Sequence, residues 1–572
     1  MFGTFRTPER DQFTNSNSLP NTWPQFTLLE QETVPQFINA KENLVVDSID
    51  GVLRASGGAK LARLDGYPGI KVVLRTDHSP SKVAIIAGGG SGHEPAHAAF
   101  VGPGLLTAAV CGEVFSSPSV DAVFAAIMAV TGKAGCLVIF KNYTGDRLNF
   151  GLAAEKARAL GKKVEIVIVK DDIALPNIIQ PRGIAGVVFV EKIAGHYAAK
   201  GWPLAKVAAV AQRAADGLVS LGVALTSCTL PGIGREDRIP SGKAELGLGI
   251  HGEPGVELVD FADAKKSVSE IADRLFKKVK RASSYALLIN NLGSTTPLEM
   301  GLIANEVLKG KHAKKIKLVC GPAALVTSLD MHGFSFSLLP LTPEFEVALK
   351  SPASALVWPG VRTVENPKVI KLPAAMKTKA VRSSKNPELA ALLTKACDIL
   401  ISAEATLNTL DAKAGDGDTG STVATAARSL KASIGKLPLA DRAAFFTAAS
   451  DSFTRSMGGS SGVLMAFFFA AAGSAKGSWQ NALQAGLAKM MEYGGAKLGD
   501  RTMIDALLPA LDVLAKGGDA AAAAKAARAG ANATQKMTRA KAGRASYVSE
   551  ANLAGVTDPG AEAVALLFEG LV

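Results

Sequence analysis

Short runs of β-branched and large apolar residues alternate with longer stretches of helical periodicity through the first two thirds of the chain. Four of these runs predict buried strands, at residues 83–87, 136–140, 164–169 and 285–289. Strands that alternate with helices are typical of βαβ units, so the pattern predicts a mainly parallel sheet. Residues 37–372 are therefore predicted to form an α/β domain.

The pattern changes after residue 388, where apolar residues recur at helical spacing and β-branched runs almost vanish. Residues 390–410 and 520–533 are examples, and they predict an all-α domain over residues 389–572. Between the two domains, residues 373–388 have few large apolar side chains and are bracketed by prolines, which indicates a linker. Residues 1–36 have neither the basic start nor the apolar centre of a signal peptide and are predicted to be an N-terminal extension.

Composition narrows the class of protein. The 572 residues, of which 48% are hydrophobic and only 6% aromatic, suit two or three soluble domains. The apolar run at 463–472 is too short for a bilayer, which needs about 20 residues, so a buried core helix and no membrane contact are expected. Five widely spaced cysteines predict neither disulfides nor a zinc site, and they favour a cytoplasmic location.

The net charge of +12 raises the question of nucleic acid. The densest basic stretches, at 276–281 and 309–317, carry no interleaved aromatic residues and no zinc-finger spacing. Solvated helix faces explain these lysines, and no nucleic-acid partner is predicted.

A glycine-rich segment, Gly-Gly-Gly-Ser-Gly-His-Glu-Pro at 88–95, follows the first predicted strand. Such a turn at the carboxyl edge of a sheet lets backbone N–H groups approach a ligand closely. It is not a phosphate loop of the Walker type, because His93 stands where that motif requires lysine. The segment predicts a ligand site, with a tight turn capped by His93 as the alternative.

A second motif, Lys-Asn-Tyr-Thr-Gly-Asp at 141–146, follows the second predicted strand. It brings a cation, hydroxyl groups and a carboxylate to one strand end, where ligand contacts are common in such sheets. Because both motifs end strands of the same predicted sheet, we expect one shared crevice.

His251 lies among four glycines in the segment 246–255, so a small ligand could approach its imidazole. A lone histidine is more often structural. The alternative is chemical, because a neutral imidazole can add to a carbonyl and a nearby glutamate can fix its tautomer.

Three carboxylates, Asp411, Asp416 and Asp418, lie in a glycine-rich turn between predicted helices. Hard oxygen ligands of this kind suit Mg²⁺. An EF-hand is excluded because the sixth position from Asp416 is Ser421 rather than glycine. Residues 458–462, Gly-Gly-Ser-Ser-Gly, precede an apolar helix whose free N–H groups could bind a phosphate. An acidic metal site and a phosphate site in one domain predict nucleotide binding.

These motifs occur together with longer strings at 151–157, 181–186, 499–505, 543–547 and 558–561. From about residue 37 onward the chain resembles a single-chain, ATP-dependent dihydroxyacetone (glycerone) kinase. The resemblance implies a substrate-binding α/β domain of two subdomains, followed by an eight-helix barrel that binds nucleotide. The extension at 1–36 is longer than this family leads us to expect.

The resemblance also implies roles for individual residues. His251 would hold the substrate as a hemiaminal, His93 and Asp146 would contact its hydroxyl groups and assist proton removal, and Gly90, Ser91, Gly92 and Lys141 would line the pocket. The three aspartates would hold Mg²⁺. The nucleotide would be bound by a set of residues from four segments, namely Thr419, Gly420, Ser460, Ser461, Gly462, Arg501, Thr502, Met503, Asp558, Pro559 and Gly560.

The resemblance further implies a homodimer with exchanged domains, whose partners are a small ketose and ATP. Three alternatives stay open at this point. The acceptor could be erythrulose or glyceraldehyde, the protein could also cyclise FAD as an FAD-AMP lyase, or it could be a regulatory ketone-binding protein without enzyme activity.

Overall fold

The computed structural model describes residues 35–57, 60–64, 66, 69–175, 179–233, 238–373, 382–457 and 459–572. Most of the predicted N-terminal extension, 1–36, and the centre of the predicted linker, 373–388, lie outside the described residues. The chain divides into two compact units, Met1–Lys368 and Val369–Val572. The first helix of the second unit begins at Pro387, inside the predicted linker.

The first unit contains two sheets. The strands of the first sheet are β1 (Leu61–Arg63), β2 (Val72–Arg75), β3 (Ala84–Ser91), β4 (Ala108–Val114), β5 (Cys136–Lys141) and β6 (Val164–Val169). The strands of the second sheet are β7 (Val219–Ala224), β8 (Lys243–Leu246), β9 (Glu257–Asp260), β10 (Tyr285–Asn291), β11 (Ile316–Ala323), β12 (Gly333–Pro340) and β13 (Val361–Thr363). All four strands predicted from the sequence are confirmed.

Eight α-helices connect these strands among the described residues. They are α1 (Leu44–Ala55), α2 (Val120–Val130), α3 (Thr144–Ala159), α4 (Val187–Ala199), α5 (Leu204–Gly217), α6 (Ala264–Lys278), α7 (Pro297–Lys309) and α8 (Pro343–Lys350). The predicted α/β architecture is confirmed.

The two sheets differ in strand direction. The first has the order β1-β2-β4-β3-β5-β6, and β4, β3, β5 and β6 run parallel. The second has the order β13-β11-β10-β12-β7-β8-β9, and only β10 and β11 are parallel. The prediction of a mainly parallel sheet is therefore wrong for the second sheet. Among the described residues, no helix lies between its consecutive strands β7, β8 and β9, and such direct connections produce antiparallel pairs.

Helices cover both faces of the first sheet, which explains its continuous apolar strands. Ile85 on β3 packs in the cluster that includes α4 and α5, whereas its neighbour Ile86 packs with α2 and α3. The α4–α5 cluster also contains Ala286 and Leu288 of β10, so these helices share a core with both sheets. Helices α6 and α7 pack against the second sheet in a separate cluster.

The second unit is helical. Its helices are α9 (Pro387–Ser402), α10 (Glu404–Ala414), α11 (Thr419–Ser433), α12 (Arg442–Ser456), α13 (Gly459–Ser474), α14 (Trp479–Gly494), α15 (Ile504–Ala515), α16 (Ala520–Thr534), α17 (Glu550–Leu553) and α18 (Pro559–Leu571). Ala403 alone separates α9 from α10. Counted as one bent helix, this pair leaves eight long helices and the single turn α17 among the described residues.

The expectation of a buried core helix at 463–472 is only partly met. In α13 only Gly462, Phe468 and Ala472 are buried, and Val463 is half exposed. Because the helix is apolar all around, its sequence does not indicate which face is covered. Within the described part of the chain, no helix combines the length and apolar character needed to span a bilayer.

Candidate active site

The glycines of the first motif lie within strand β3, which continues to Ser91, and not in a turn as the sequence suggested. They are required for close backbone packing: a Cβ at Gly88 would lie 2.3 Å from the Val110 carbonyl oxygen, and one at Gly90 would lie 2.7 Å from the Ser116 nitrogen. The turn begins at Gly92, whose φ of +98° favours glycine. The Ser91 hydroxyl donates to the Gly112 carbonyl at 2.8 Å.

His93 follows this turn and is 1% exposed. Its Nδ1 lies 2.7 Å from the carbonyl oxygen of Thr327, and since a carbonyl only accepts, Nδ1 carries the proton. Nε2 is buried and has no hydrogen-bond partner among the described residues. Burial, reinforced by the charge of Lys141, holds the pKa of His93 well below its usual value. The imidazole is therefore neutral near pH 7, with an unprotonated nitrogen that can accept a proton.

His251 lies beside His93, with ring centroids 4.9 Å apart in an edge-to-face arrangement. Its Nδ1 is 3.0 Å from Oε1 of Glu253, whose other oxygen accepts the His251 backbone N–H at 3.0 Å. Burial alone would raise the pKa of Glu253, but the hydrogen bond and charge of His251 lower it to about 2. The carboxylate is thus ionised, and in the neutral form of His251 it directs the single imidazole proton to Nδ1, which leaves Nε2 unprotonated.

Lys141 and Asp146 lie at the carboxyl end of β5 and in the first turn of α3. Both converge over Gly89, where a Cβ would lie 3.4 Å from the Lys141 Nζ atom and 3.9 Å from Oδ2 of Asp146. Burial lowers the pKa of Lys141 and raises the pKa of Asp146, while their mutual attraction opposes both changes. The residues of the two strand-end motifs therefore lie close together in the structure, as the sequence led us to expect.

Sequence reasoning missed two aromatic walls of this crevice. Tyr143 meets the His251 ring edge-on at 4.5 Å, and Phe115 lies 5.2 Å from both His93 and His251. The Tyr143 hydroxyl is buried without a hydrogen-bond partner in the described structure, and burial raises its pKa well above the usual value. Tyr143 stands inside the 141–146 motif, but aromatic residues at strand ends more often belong to the core.

The helical unit brings the three predicted metal ligands together. One carboxylate oxygen from each of Asp411, Asp416 and Asp418 lies within 4.8 Å of the others. Asp411 is buried at the end of α10, and its Oδ2 accepts the backbone N–H groups of Asp418 and Thr419 at 2.9 and 3.0 Å. These two hydrogen bonds hold the loop between α10 and α11 in place. Three clustered carboxylate oxygens are hard ligands that suit Mg²⁺.

Arg544 is a second feature that the sequence did not single out as part of the site. Its Nη1 donates to Oδ2 of Asp416 and lies 3.7 Å from Oδ1 of Asp418. The guanidinium offsets the negative charge that a bound cation would also offset. Arg544 belongs to the string at 543–547, so its position was visible in the sequence although its partners were not.

The predicted nucleotide residues occupy three places in the helical unit. Thr419 and Gly420 begin α11, and Ser460 and Ser461 are exposed in the first turn of α13. Gly462 permits close packing there, since a Cβ would meet the Met457 carbonyl at 2.1 Å. In the third place, residues 502–503 lie next to residues 558–560.

In this third place Met503 packs against Gly560, where a Cβ would lie 3.2 Å from that of Met503. Asp558 caps α18 by accepting the Ala561 N–H at 2.8 Å, and Pro559 is the first residue of that helix. Arg501 is fully buried, with Nη2 donating to the Val556 carbonyl at 2.8 Å. Its burial favours a supporting position behind the neighbouring Thr502 rather than direct contact with a ligand.

The two units together define a protein in which an α/β domain carries a histidine-lined crevice and a helical domain carries a cluster of metal-binding aspartates. The Dak1 domain family matches residues 58–357, and the DAK2 domain family matches residues 413–572. The chain belongs to the dihydroxyacetone kinase family.

Individual relatives agree with this assignment over nearly the whole chain. The chain is 48% identical to a dihydroxyacetone kinase of Citrobacter freundii, covering 94% of this chain and 98% of that protein. It is 37% identical to the triokinase/FMN cyclase of Mus musculus, with 94% and 98% covered. The crystal structure of the C. freundii kinase in complex with AMP-PNP and Mg²⁺ matches with a TM-score of 0.66 at 46% identity, covering 94% of this chain and 99% of that one.

Proposed function

We propose that the protein transfers the γ-phosphoryl group of ATP to a terminal hydroxyl of dihydroxyacetone, giving dihydroxyacetone phosphate and ADP. The observation that carries this proposal is the arrangement of Glu253, His251 and His93, in which an oriented nucleophilic imidazole faces a neutral buried base. The near full-length match to a dihydroxyacetone kinase supports it.

The ketone would be held covalently on His251. Its Nε2 adds to the carbonyl carbon as the C=O π bond breaks, the resulting alkoxide takes up a proton from solvent, and Glu253 stabilises the positive charge that the imidazole acquires. Glycerol is similar to dihydroxyacetone in size and polarity but has no carbonyl group. The adduct would therefore select the ketone.

The attacking hydroxyl would lose its proton to His93 or Asp146. Burial leaves His93 neutral, so Nε2 is available as an acceptor. Burial also raises the pKa of Asp146, which makes its carboxylate a stronger base than an exposed one. Lys141, together with the backbone of Gly90, Ser91 and Gly92, would complete the pocket wall.

Asp411, Asp416 and Asp418 would hold Mg²⁺ with the nucleotide phosphates. Bound there, the ion neutralises charge that develops on the transferred phosphoryl group. Thr419, Gly420, Ser460, Ser461 and Gly462 would meet the phosphates through backbone N–H groups and hydroxyls at the starts of α11 and α13. Thr502, Met503 and residues 558–560 would surround the base.

We infer further that the protein is a cytoplasmic homodimer in which domains are exchanged between subunits. With both domains on one chain, the nucleotide site would exchange ADP for ATP freely. Size-exclusion chromatography with light scattering would test the dimer.

A second candidate function follows from the similarity to the triokinase/FMN cyclase of Mus musculus. Glyceraldehyde or erythrulose could serve as an acceptor, and FAD could be cleaved with cyclisation. An assay of dihydroxyacetone, erythrulose, glyceraldehyde and glycerol with Mg·ATP, together with FAD and Mn²⁺, separates these activities. The proposal predicts the highest kcat/KM for dihydroxyacetone and none measurable for glycerol. Equal use of glycerol would refute it.

A further inference from the structure

A glutamate is buried in the helix between the two sheets. Helix α4 begins with four apolar residues, and the two charged residues that follow, Glu191 and Lys192, are both 0% exposed. Neither of its carboxylate oxygens has a hydrogen bond of normal geometry within the described residues. Burying a carboxylate costs several kcal/mol unless a partner compensates for the lost hydration. The adjacent Lys192 is also buried, but it donates to the Ala348 carbonyl at 2.7 Å and to the Ser351 hydroxyl at 2.6 Å, partners of a kind that Glu191 lacks.

The nearest partner of Glu191 is His97, which is 3% exposed. The His97 Nδ1 atom lies 2.7 Å from Oε1 of Glu191. On its other side, Nε2 lies 3.1 Å from the Nζ atom of Lys141. An ammonium group has only donors, so Nε2 must accept and the single proton of a neutral imidazole must be on Nδ1, toward Glu191. The imidazole thus joins a buried anion to a buried cation.

Lys141 extends this chain of contacts into the candidate crevice. Its Nζ lies over Gly89 beside Asp146, the residue proposed above to contact the substrate hydroxyl. The charged and titratable groups that face Lys141 are His97 from the loop after β3, His93 from the same loop, Asp146 on α3, Glu191 on α4 and Asp171 after β6. This chain of contacts therefore runs from Glu191 in the buried helix α4 to Lys141 and Asp146, which are proposed to contact the substrate.

We propose that Glu191 and His97 are positioning residues that keep the Lys141 ammonium protonated and fixed against the substrate. They do not touch substrate, and they act only through Lys141. This inference deepens the proposed function and rests on the placement of Lys141 in the ketone pocket. Burial lowers the pKa of Lys141, and the negative charges of Asp146 and, after it, Glu191 oppose that change.

The test is the pH dependence of kcat/KM for dihydroxyacetone in the full-length protein. Glu191→Gln keeps the shape of the side chain but removes its charge, so the alkaline limb moves to lower pH, by on the order of one unit. Glu191→Asp retains the charge and returns the limb toward its original position. Asp273→Asn serves as a matched control, because Asp273 pairs with His312 at 2.8 Å on the surface of α6, and it leaves the limb in place.

His97→Phe tests the same chain at its second member, where it removes the acceptor for the ammonium. A hydrogen bond to a charged group is worth about 1.5–3 kcal/mol, which corresponds to a loss of about 10- to 100-fold in kcat/KM. The alkaline limb again moves to lower pH, and a circular dichroism melt shows whether the variant is folded. If Glu191→Gln and His97→Phe are folded and keep the alkaline limb of the parent, the inference is wrong.

A separate measurement distinguishes failure of this inference from failure of the proposed function. If the proposed function holds, mass spectrometry of Glu191→Gln with dihydroxyacetone still detects the adduct on His251. If the parent protein itself forms no adduct or phosphorylates no ketone, the proposed function fails, whatever the pH profiles show.

Discussion

The rings of His93 and His251 meet edge to face with their centroids 4.9 Å apart, although 158 residues separate them in the chain. One imidazole donates from Nδ1 to a carbonyl oxygen, and the other is oriented by a carboxylate. Each ring is therefore held in one tautomer, and the unprotonated nitrogen of each is available to a ligand. The same residue type has two roles here because the two surroundings differ.

Glu253→Gln removes the acceptor that fixes the His251 tautomer. A glutamine amide can present an N–H to Nδ1 and so favour the tautomer with the proton on Nε2, which cannot attack a carbonyl. We expect the fraction of His251 adduct to fall at least about 10-fold, the loss of one charge-assisted hydrogen bond. Intact-protein mass spectrometry after a rapid acid quench measures the fraction of protein that carries the adduct. Glu257→Gln is the control, because Glu257 is exposed on β9. An undiminished adduct would show that the carboxylate is not needed.

His93→Asn removes the neutral base while keeping a polar side chain. We expect kcat to fall by about 10²- to 10⁴-fold, the usual contribution of general-base catalysis, while adduct formation on His251 persists. Steady-state kinetics and adduct detection on the same sample separate the two effects. If kcat falls less than tenfold, Asp146 is the base.

Asp416→Asn removes one ligand from the aspartate cluster of the helical unit. We expect Mg²⁺ affinity, measured calorimetrically with a non-hydrolysable ATP analogue, to weaken at least tenfold and turnover to become undetectable. The ketone adduct should be unaffected, because it depends on other residues. Asp398→Asn is the matched control, since Asp398 pairs with the surface Lys431. Normal turnover in Asp416→Asn would contradict the metal assignment.

Asp558→Asn tests the electrostatics of the helical unit. Burial raises the pKa of Asp558 from 3.8 to about 6, so the folded chain holds this proton more tightly than the unfolded chain. Its contribution to stability is therefore full at low pH and is lost as pH rises from about 4 to 6, by up to about 3 kcal/mol. Asparagine can keep the helix cap without this loss.

Thermal melts of the parent and of Asp558→Asn at pH 4.5 and 7.5 test the direction of this pH dependence. The melting temperature of the variant minus that of the parent should be larger at pH 7.5 than at pH 4.5. A difference that is independent of pH would show that Asp558 is ionised throughout the range.

Local features were predictable from the sequence, whereas long-range partners were not. The strands at 136–141 and 164–169 follow from short runs dominated by β-branched and other apolar residues. The aspartates at 411, 416 and 418 were grouped correctly because they lie within eight residues of one another in the chain. The contact of Glu191 with His97 crosses 94 residues and leaves no periodic signal.

The direction of the strands in the second sheet was also not predictable from the sequence. The antiparallel run β7-β8-β9 depends on loops that turn back without a helix, and one of these loops contains the His251 segment. That local geometry, rather than the alternation of strands and helices, decides the direction of pairing.

The most direct test of covalent ketone binding on His251 is mass spectrometry of the parent and of His251→Ala after incubation with dihydroxyacetone. Covalent binding predicts a mass increase of one dihydroxyacetone on the peptide that contains His251 in the parent. It predicts no increase in the variant, and in addition a loss of discrimination between dihydroxyacetone and glycerol. An unmodified parent peptide, or parental affinity for dihydroxyacetone in His251→Ala, would contradict it.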